Sequence, residues 1–172
     1  MFIKTCFTGI VIFLCLQSKA QTFDIEEKTP YADNGFEYGY IIKNEQIKKA
    51  GDEEYNRYEI TFYITNKSGC TKIYEDRSYS SSSSYSSAVQ LATFNCQNAN
   101  GKRFTSKSIN IAAKEFYINV KKKVDGKTVT ENVKAGYIFR KGETLKSNAI
   151  VLVPKGERPV IQCSAESPQE LD

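Results

Sequence analysis

The chain has 172 residues, of which 40% are hydrophobic, and it carries a formal net charge of +4 with no histidine at all. A charge so close to neutral excludes the strongly basic footprint of a nucleic-acid binder or a membrane-surface binder. The missing imidazole removes the usual general base, the commonest zinc ligand and every Ser-His or Cys-His nucleophile pair.

Residues 1–20 read as a cleavable secretory signal peptide. Lys4 supplies the positive start, an apolar run extends from Phe7 to Leu16, and Ser18-Lys19-Ala20 places small residues where signal peptidase needs them, so cleavage is expected after Ala20. The apolar run is about ten residues, against the roughly twenty that a helix needs to cross the hydrocarbon core, so no membrane span is expected after cleavage. Lipid attachment at Cys15 would need Gly or Ala before it, and Leu14 stands there. The remainder is expected to be exported to a periplasm or outside the cell. It is roughly 150 residues long, enough for one domain with its own core. That domain is expected over 21–163, followed by a polar, disordered tail over 164–172.

Cys70, Cys96 and Cys163 lie beyond the signal. In an oxidising compartment an odd number predicts one disulfide and one leftover thiol. Loop-closure entropy separates the possible pairs by only about 1 kcal/mol and does not choose. Cys70 with Cys96 is preferred because both end strand candidates that are neighbours in sequence.

In chain order, Tyr38–Ile47 is a strand candidate, Ala50-Gly51-Asp52-Glu53 a bend, and Tyr58–Thr65 the clearest strand. In it Tyr58, Ile60, Phe62 and Ile64 alternate with more polar residues, the period of a half-buried strand. The serine tract 78–87 cannot pack a core and predicts a loop. Its Tyr79 and Tyr85, aromatic rings among serines, are the candidate binding residues. Val89–Cys96 is next, then Asn100-Gly101 as a tight hairpin turn with Phe104–Ile111 returning. Phe116, Ile118 and Val120 alternate with Tyr117, Asn119 and Lys121, and Asp125-Gly126 predicts a second tight hairpin into Thr128–Val133. Tyr137–Phe139, Ala149–Val153 and Val160–Cys163 complete about nine strands.

No window of a dozen residues keeps a helical apolar spacing, and Tyr, Phe, Ile, Val and Thr are the residues that pleated surfaces favour. An all-β fold follows. Uneven loops favour an immunoglobulin-like two-sheet sandwich of about seven to nine strands, with a small closed β-barrel as the alternative. The runs YEITFYITNKSG, LATFNCQNANG and AIVLVPKGERPVI resemble small exported bacterial immunoglobulin-like domains of uncharacterised function. The resemblance spans about two thirds of the chain beyond the signal; it implies a sandwich and a location and carries no functional residues.

The acidic groups Asp24, Glu26, Glu27 and Asp52, Glu53, Glu54 have the oxygen content of a calcium site but read first as solvated turns. Lys121-Lys122-Lys123 could meet an acidic polymer or simply keep an edge strand from pairing with others. No glycine-rich phosphate loop, CxxC pair or EF-hand spacing is present, so no cofactor, metal or catalytic residue is assigned. The expected function is a non-catalytic binding or accessory module of the cell envelope that contacts a protein or glycan there. A structural subunit of a larger envelope assembly, and an enzyme using carboxylates or a thiol, are the alternatives.

Overall fold

A computed structural model describes residues 21–76, 88–98, 100–101, 108–168 and 170. The serine tract and residues 1–20 lie outside these, and Phe104 does as well. The described residues form eleven strands and no helix. They are β1 (Gln21–Ile25), β2 (Tyr31–Asp33), β3 (Phe36–Ala50), β4 (Glu53–Asn66), β5 (Lys72–Tyr74), β6 (Gln90–Gln97), β7 (Ile109–Ala112), β8 (Lys114–Val124), β9 (Lys127–Phe139), β10 (Thr144–Pro154) and β11 (Val160–Ala165).

Three antiparallel sheets result, in the orders β1-β11-β6-β7, β10-β4-β3-β2 and β5-β9-β8, and none closes into a barrel. The alternation read in Tyr58–Thr65 is realised in β4, whose Tyr58, Ile60, Phe62 and Ile64 are all buried. β3 brings Tyr40 opposite Phe62, and β10 brings Val151 opposite Tyr58, so one face of this sheet is continuous apolar surface. The first sheet supplies Phe94 and Cys96 from β6 and Ile161 and Cys163 from β11 against it. Phe62 and Phe94 meet across the gap with ring centroids 5.1 Å apart, which makes the two sheets a face-to-face, sandwich-like pair around one core.

Turn chemistry sets three of the connections. Ala50 pairs with Glu53 across the expected bend, and Gly51 takes a φ of 65° there. Asn34-Gly35 joins β2 to β3 with both φ positive, a tight hairpin that its Asn-Gly pair could have announced. Asp125-Gly126 joins β8 to β9 in the same way, as expected.

Elsewhere the structure departs from the sequence reading. β1, β2 and β5 were not expected, and the expected strands at 128–133 and 137–139 are one strand, β9. Asn100-Gly101 turns the chain, with Gly101 N–H bonded to the Asn98 carbonyl at 2.9 Å, and residues 102–107 of the expected return lie outside the described residues. Beyond them Phe94 pairs with Ile109, and the described part of the expected return, Ile109 to Ile111, lies in β7. Ser164 and Ala165, expected in the tail, are the last residues of β11 and pair with β6 and β1. Glu170 returns to form a bridge with Tyr74.

Candidate functional site

The third sheet carries the most unusual surface of the molecule. β8 and β9 pair from Lys114–Ile138 at the body to Val124–Lys127 at the tip. Among the described residues β5 covers only Tyr137 to Phe139 of β9, so from Tyr117 to Lys134 no third described strand pairs with either edge of the ribbon. Residues opposite one another in an antiparallel pair share a face. Ile118 faces Val133, Val120 faces Glu131, Lys122 faces Val129 and Val124 faces Lys127. One face of the arm therefore gathers Ile118, Val120, Val124, Val129 and Val133, each between 37% and 43% exposed. The other presents Tyr117, Asn119, Lys121 and Lys123 beside Thr128, Thr130, Asn132 and Lys134. Lys122 and Glu131 form an ion pair on the apolar side.

Two devices fix how the arm leaves the body. Between Phe116 and Tyr117 the register shifts by one residue, and Gly136 sits opposite Phe116 at φ 147°. A Cβ there would lie 2.4 Å from the Tyr74 carbonyl oxygen, so only glycine lets β9 approach β5 as it does. Two residues on, the Lys134 ammonium donates to Asp76 at 2.9 Å, to Glu115 at 3.1 Å and to the Tyr137 hydroxyl at 2.7 Å. It also lies 4.2 Å from the Tyr137 ring centroid. Burial opposes the charge of Lys134, but its bonds to Tyr137, Asp76 and Glu115 outweigh that and raise its pKa. Hydrogen bonds from Tyr117 and Lys134 lower that of Glu115.

The residues singled out in the sequence fall elsewhere. Tyr79 and Tyr85 lie outside the described residues. The expected Cys70–Cys96 disulfide is not formed: Cys70, Cys96 and Cys163 are all free. Neighbours in sequence are not neighbours in space here, because Cys70 precedes β5, which joins the third sheet, while β6 carries Cys96 into the first between β11 and β7. Cys96 and Cys163 are both buried on the inner face of adjacent strands, but Cys96 pairs with Ile161, which makes the two cysteines diagonal neighbours. Diagonal side chains on such strands stand about 7 Å apart, beyond the reach of a bond. Burial pushes both thiols up to about 12, so they are neutral packing groups and not nucleophiles.

Of the acidic groups, Asp24 lies in β1 and Glu53 and Glu54 open β4, so strands and not turns carry them. Glu54 is held by Lys49 and Lys155, and Tyr55 donates to Glu53. No group of three or more Cys, Asp or Glu side chains is arranged to hold a metal among the described residues. Lys121, Lys122 and Lys123 do end a strand, but at the tip of the projecting ribbon. No helix of the described residues is long and apolar enough to cross a membrane.

No family model, curated protein or solved structure matches this chain. The arm is therefore read from its own chemistry. Its period-two pattern was legible in the sequence; that its apolar face meets no core was not, because periodicity reports that a face is apolar and not what covers it.

Proposed function

We propose that this chain is an exported, non-catalytic binding module of a cell envelope, an immunoglobulin-like two-sheet sandwich that engages a protein partner through the β8–β9 arm. Export rests on the signal-like residues 1–20. The non-catalytic reading is supported by the absence of histidine and by two neutral buried thiols.

One observation carries the binding reading: an amphipathic ribbon projects from a complete core with five β-branched side chains uncovered. A two-stranded ribbon in water is marginally stable by itself, and an apolar face left open is a cost that a partner removes. Covering the exposed part of five such side chains is worth roughly 3–6 kcal/mol. The face itself is only a few hundred Å², short of the ~800 Å² per partner that a stable protein pair buries. The partner is thus a groove that takes the ribbon by its edges as well as its face. Lys121, Lys123 and Lys127 at the tip, with Asp125 the one acid among them, call for carboxylates lining that groove. A protein fits better than a glycan, because only an apolar partner surface gains from meeting this face.

The test is a photo-crosslinking residue placed singly at Ile118, Val129, Asn119 and Thr130 in producing cells. Adducts with one other protein from Ile118 and Val129, but not from Asn119 and Thr130 on the opposite face, are expected. Adducts between copies of this chain would favour the assembly-subunit reading, lipid adducts a membrane surface, and equal labelling from both faces would remove the arm as a specific site. A companion variant that replaces Tyr117–Val133 by Asn-Gly is expected to keep its melting temperature within about 2 °C, since the deleted side chains contribute little to the core.

A further inference from the structure

A strand at the edge of a sheet presents a row of N–H and C=O groups with no partner strand, and proteins guard such edges by keeping them short, bulged or charged. β1, β2, β5 and β7 are edges of three to five residues. β8 is a long edge, but its register is broken between Phe116 and Tyr117 and it carries Lys114, Lys121, Lys122 and Lys123. β10 has none of these guards. It has 11 residues, pairs with β4 without a break from Thr144 to Pro154, and has no charged residue from Ser147 to Val153.

Two bonds at the ends of this ladder fix which backbone groups face the open side. Asn66 N–H bonds the Glu143 carbonyl, and Lys155 N–H bonds the Glu54 carbonyl. Opposed residues of an antiparallel pair exchange bonds at every second position, so Leu145, Ser147, Ala149, Val151 and Val153 bond β4. The N–H and C=O groups of Lys146, Asn148, Ile150 and Leu152 therefore point away from it. Pro154 shares their parity, where its missing N–H takes nothing from the ladder to β4. Among the described residues no strand pairs with this side, and β7 of the facing sheet comes near β10 without forming a ladder to it. The same alternate residues bear the bare side chains: Ile150 is 56% and Leu152 51% exposed, whereas Val151 and Val153 are fully buried.

A row of open backbone groups is matched by another extended chain, and β10 of a second copy fits it. With the two strands antiparallel about a two-fold axis at Val151, Ile150 stands opposite Leu152 of the other copy and Leu152 opposite its Ile150. Each pair exchanges two backbone bonds, Asn148 N–H reaches the Pro154 carbonyl of the other copy, and Pro154 ends the ladder, which makes about six bonds. The two apolar side chains left bare on one chain are covered by the same two of the other, as an isologous contact requires. The two Lys146 residues stand about 30 Å apart, so no like charges meet at the junction.

We propose that β10 is the junction of a symmetric homodimer, in which the two β10-β4-β3-β2 sheets join edge to edge into one continuous sheet. The junction is separate from the β8–β9 arm, so the dimer carries two arms and neither reading depends on the other.

Sedimentation equilibrium of the purified protein tests it. One strand per copy makes a small interface, so a monomer–dimer equilibrium with Kd on the order of 10⁻⁵ to 10⁻⁴ M is expected. Ile150→Lys points its new charge to solvent in the monomer and is expected to weaken the dimer about tenfold or more, a loss of ~1.4 kcal/mol or more, with the melting curve of the dilute protein unchanged. Amide hydrogen exchange of the wild type reads the edge without a substitution. The Ile150 and Leu152 amides should be protected in concentrated and not in dilute protein, while those of Ala149 and Val151 are protected in both. The variant that replaces Tyr117–Val133 by Asn-Gly should dimerise as the wild type does. The proposal is overturned by a monomer up to about 1 mM, about tenfold above the weakest Kd expected. It is equally overturned by Ile150→Lys or the exchange pattern showing no dependence on the junction, or by loss of the dimer with the arm.

Discussion

Asn66 ends β4 with its side chain fully buried, and replacing it tests how the third sheet is tied to the sandwich. Its amide nitrogen donates to the carbonyls of Cys70 and Phe139, each at 3.0 Å, and its oxygen accepts from Ser68 N–H at 3.0 Å and Ser68 Oγ at 2.7 Å. Its backbone N–H bonds the Glu143 carbonyl at 3.0 Å, and its own carbonyl accepts from Gly142 at 2.9 Å. One residue therefore holds the β4–β5 turn, the end of β9 and the β9–β10 turn together. In Asn66→Ala the bond to the Phe139 carbonyl is lost in the interior, at about 1–3 kcal/mol, while water can partly replace the bonds to Ser68 and Cys70 at about 0.5 kcal/mol each. The sum is about 3 kcal/mol, or roughly 6–12 °C in melting temperature for a domain of this size. Asn66→Asp keeps the acceptor for Ser68 but turns an oxygen towards two carbonyls, so it should cost more at neutral pH. Protonation restores a donor, so the damage in Asn66→Asp should shrink as pH falls towards 4. Urea unfolding followed by tyrosine fluorescence and far-UV circular dichroism measures both variants. A loss below about 1 kcal/mol in Asn66→Ala, or an Asn66→Asp variant indifferent to pH, would refute the assignment of this residue as the tie between sheets.

Cys96 and Cys163 give the protein an alkaline limit. Their thiols are raised to about 12 by burial, against ~8.5 in an unfolded chain, so the native state keeps protons that the unfolded state releases. Stability is then intact below about pH 8.5 and is lost as pH rises towards 12, at ~1.4 kcal/mol per unit for each thiol. Between pH 9 and 10, Cys163→Ala should fall less steeply than the wild type, with the slope reduced by less than half because burial raises Tyr38 and Tyr74 too, and equal slopes in denaturant titrations would contradict this. Thiol labelling of the native chain from Gln21 onward should modify Cys70 within minutes and the other two only after unfolding; a mass spectrum showing Cys70 protected would reinstate the disulfide. Gly136→Ala drives a Cβ against the Tyr74 carbonyl and should cost about 2 kcal/mol or more, whereas Gly126→Ala, with open space around it, should cost about 1–2 kcal/mol of backbone strain alone. Comparable melting temperatures for the two variants would remove the bulge as the anchor of the arm.

The amino-acid sequence by itself determined what is local. Alternation in Tyr58–Thr65 made a strand with one apolar face whatever it packed on, and Asp125-Gly126 made a tight hairpin because those two residues accept positive φ. The antiparallel all-β class followed from many such elements. Where identity depended on a partner distant in the chain, the sequence was silent. In the run Ala149–Val153 every residue is apolar, yet only the pairing of Val151 with Tyr58 puts Val151 and Val153 in the core and leaves Ile150 and Leu152 more than half exposed. The cysteines show the same limit, since which strands become neighbours is settled by how three sheets share one core and not by order along the chain. The arm is of this kind: it is a candidate site only because the core of the sandwich forms without its outer strands.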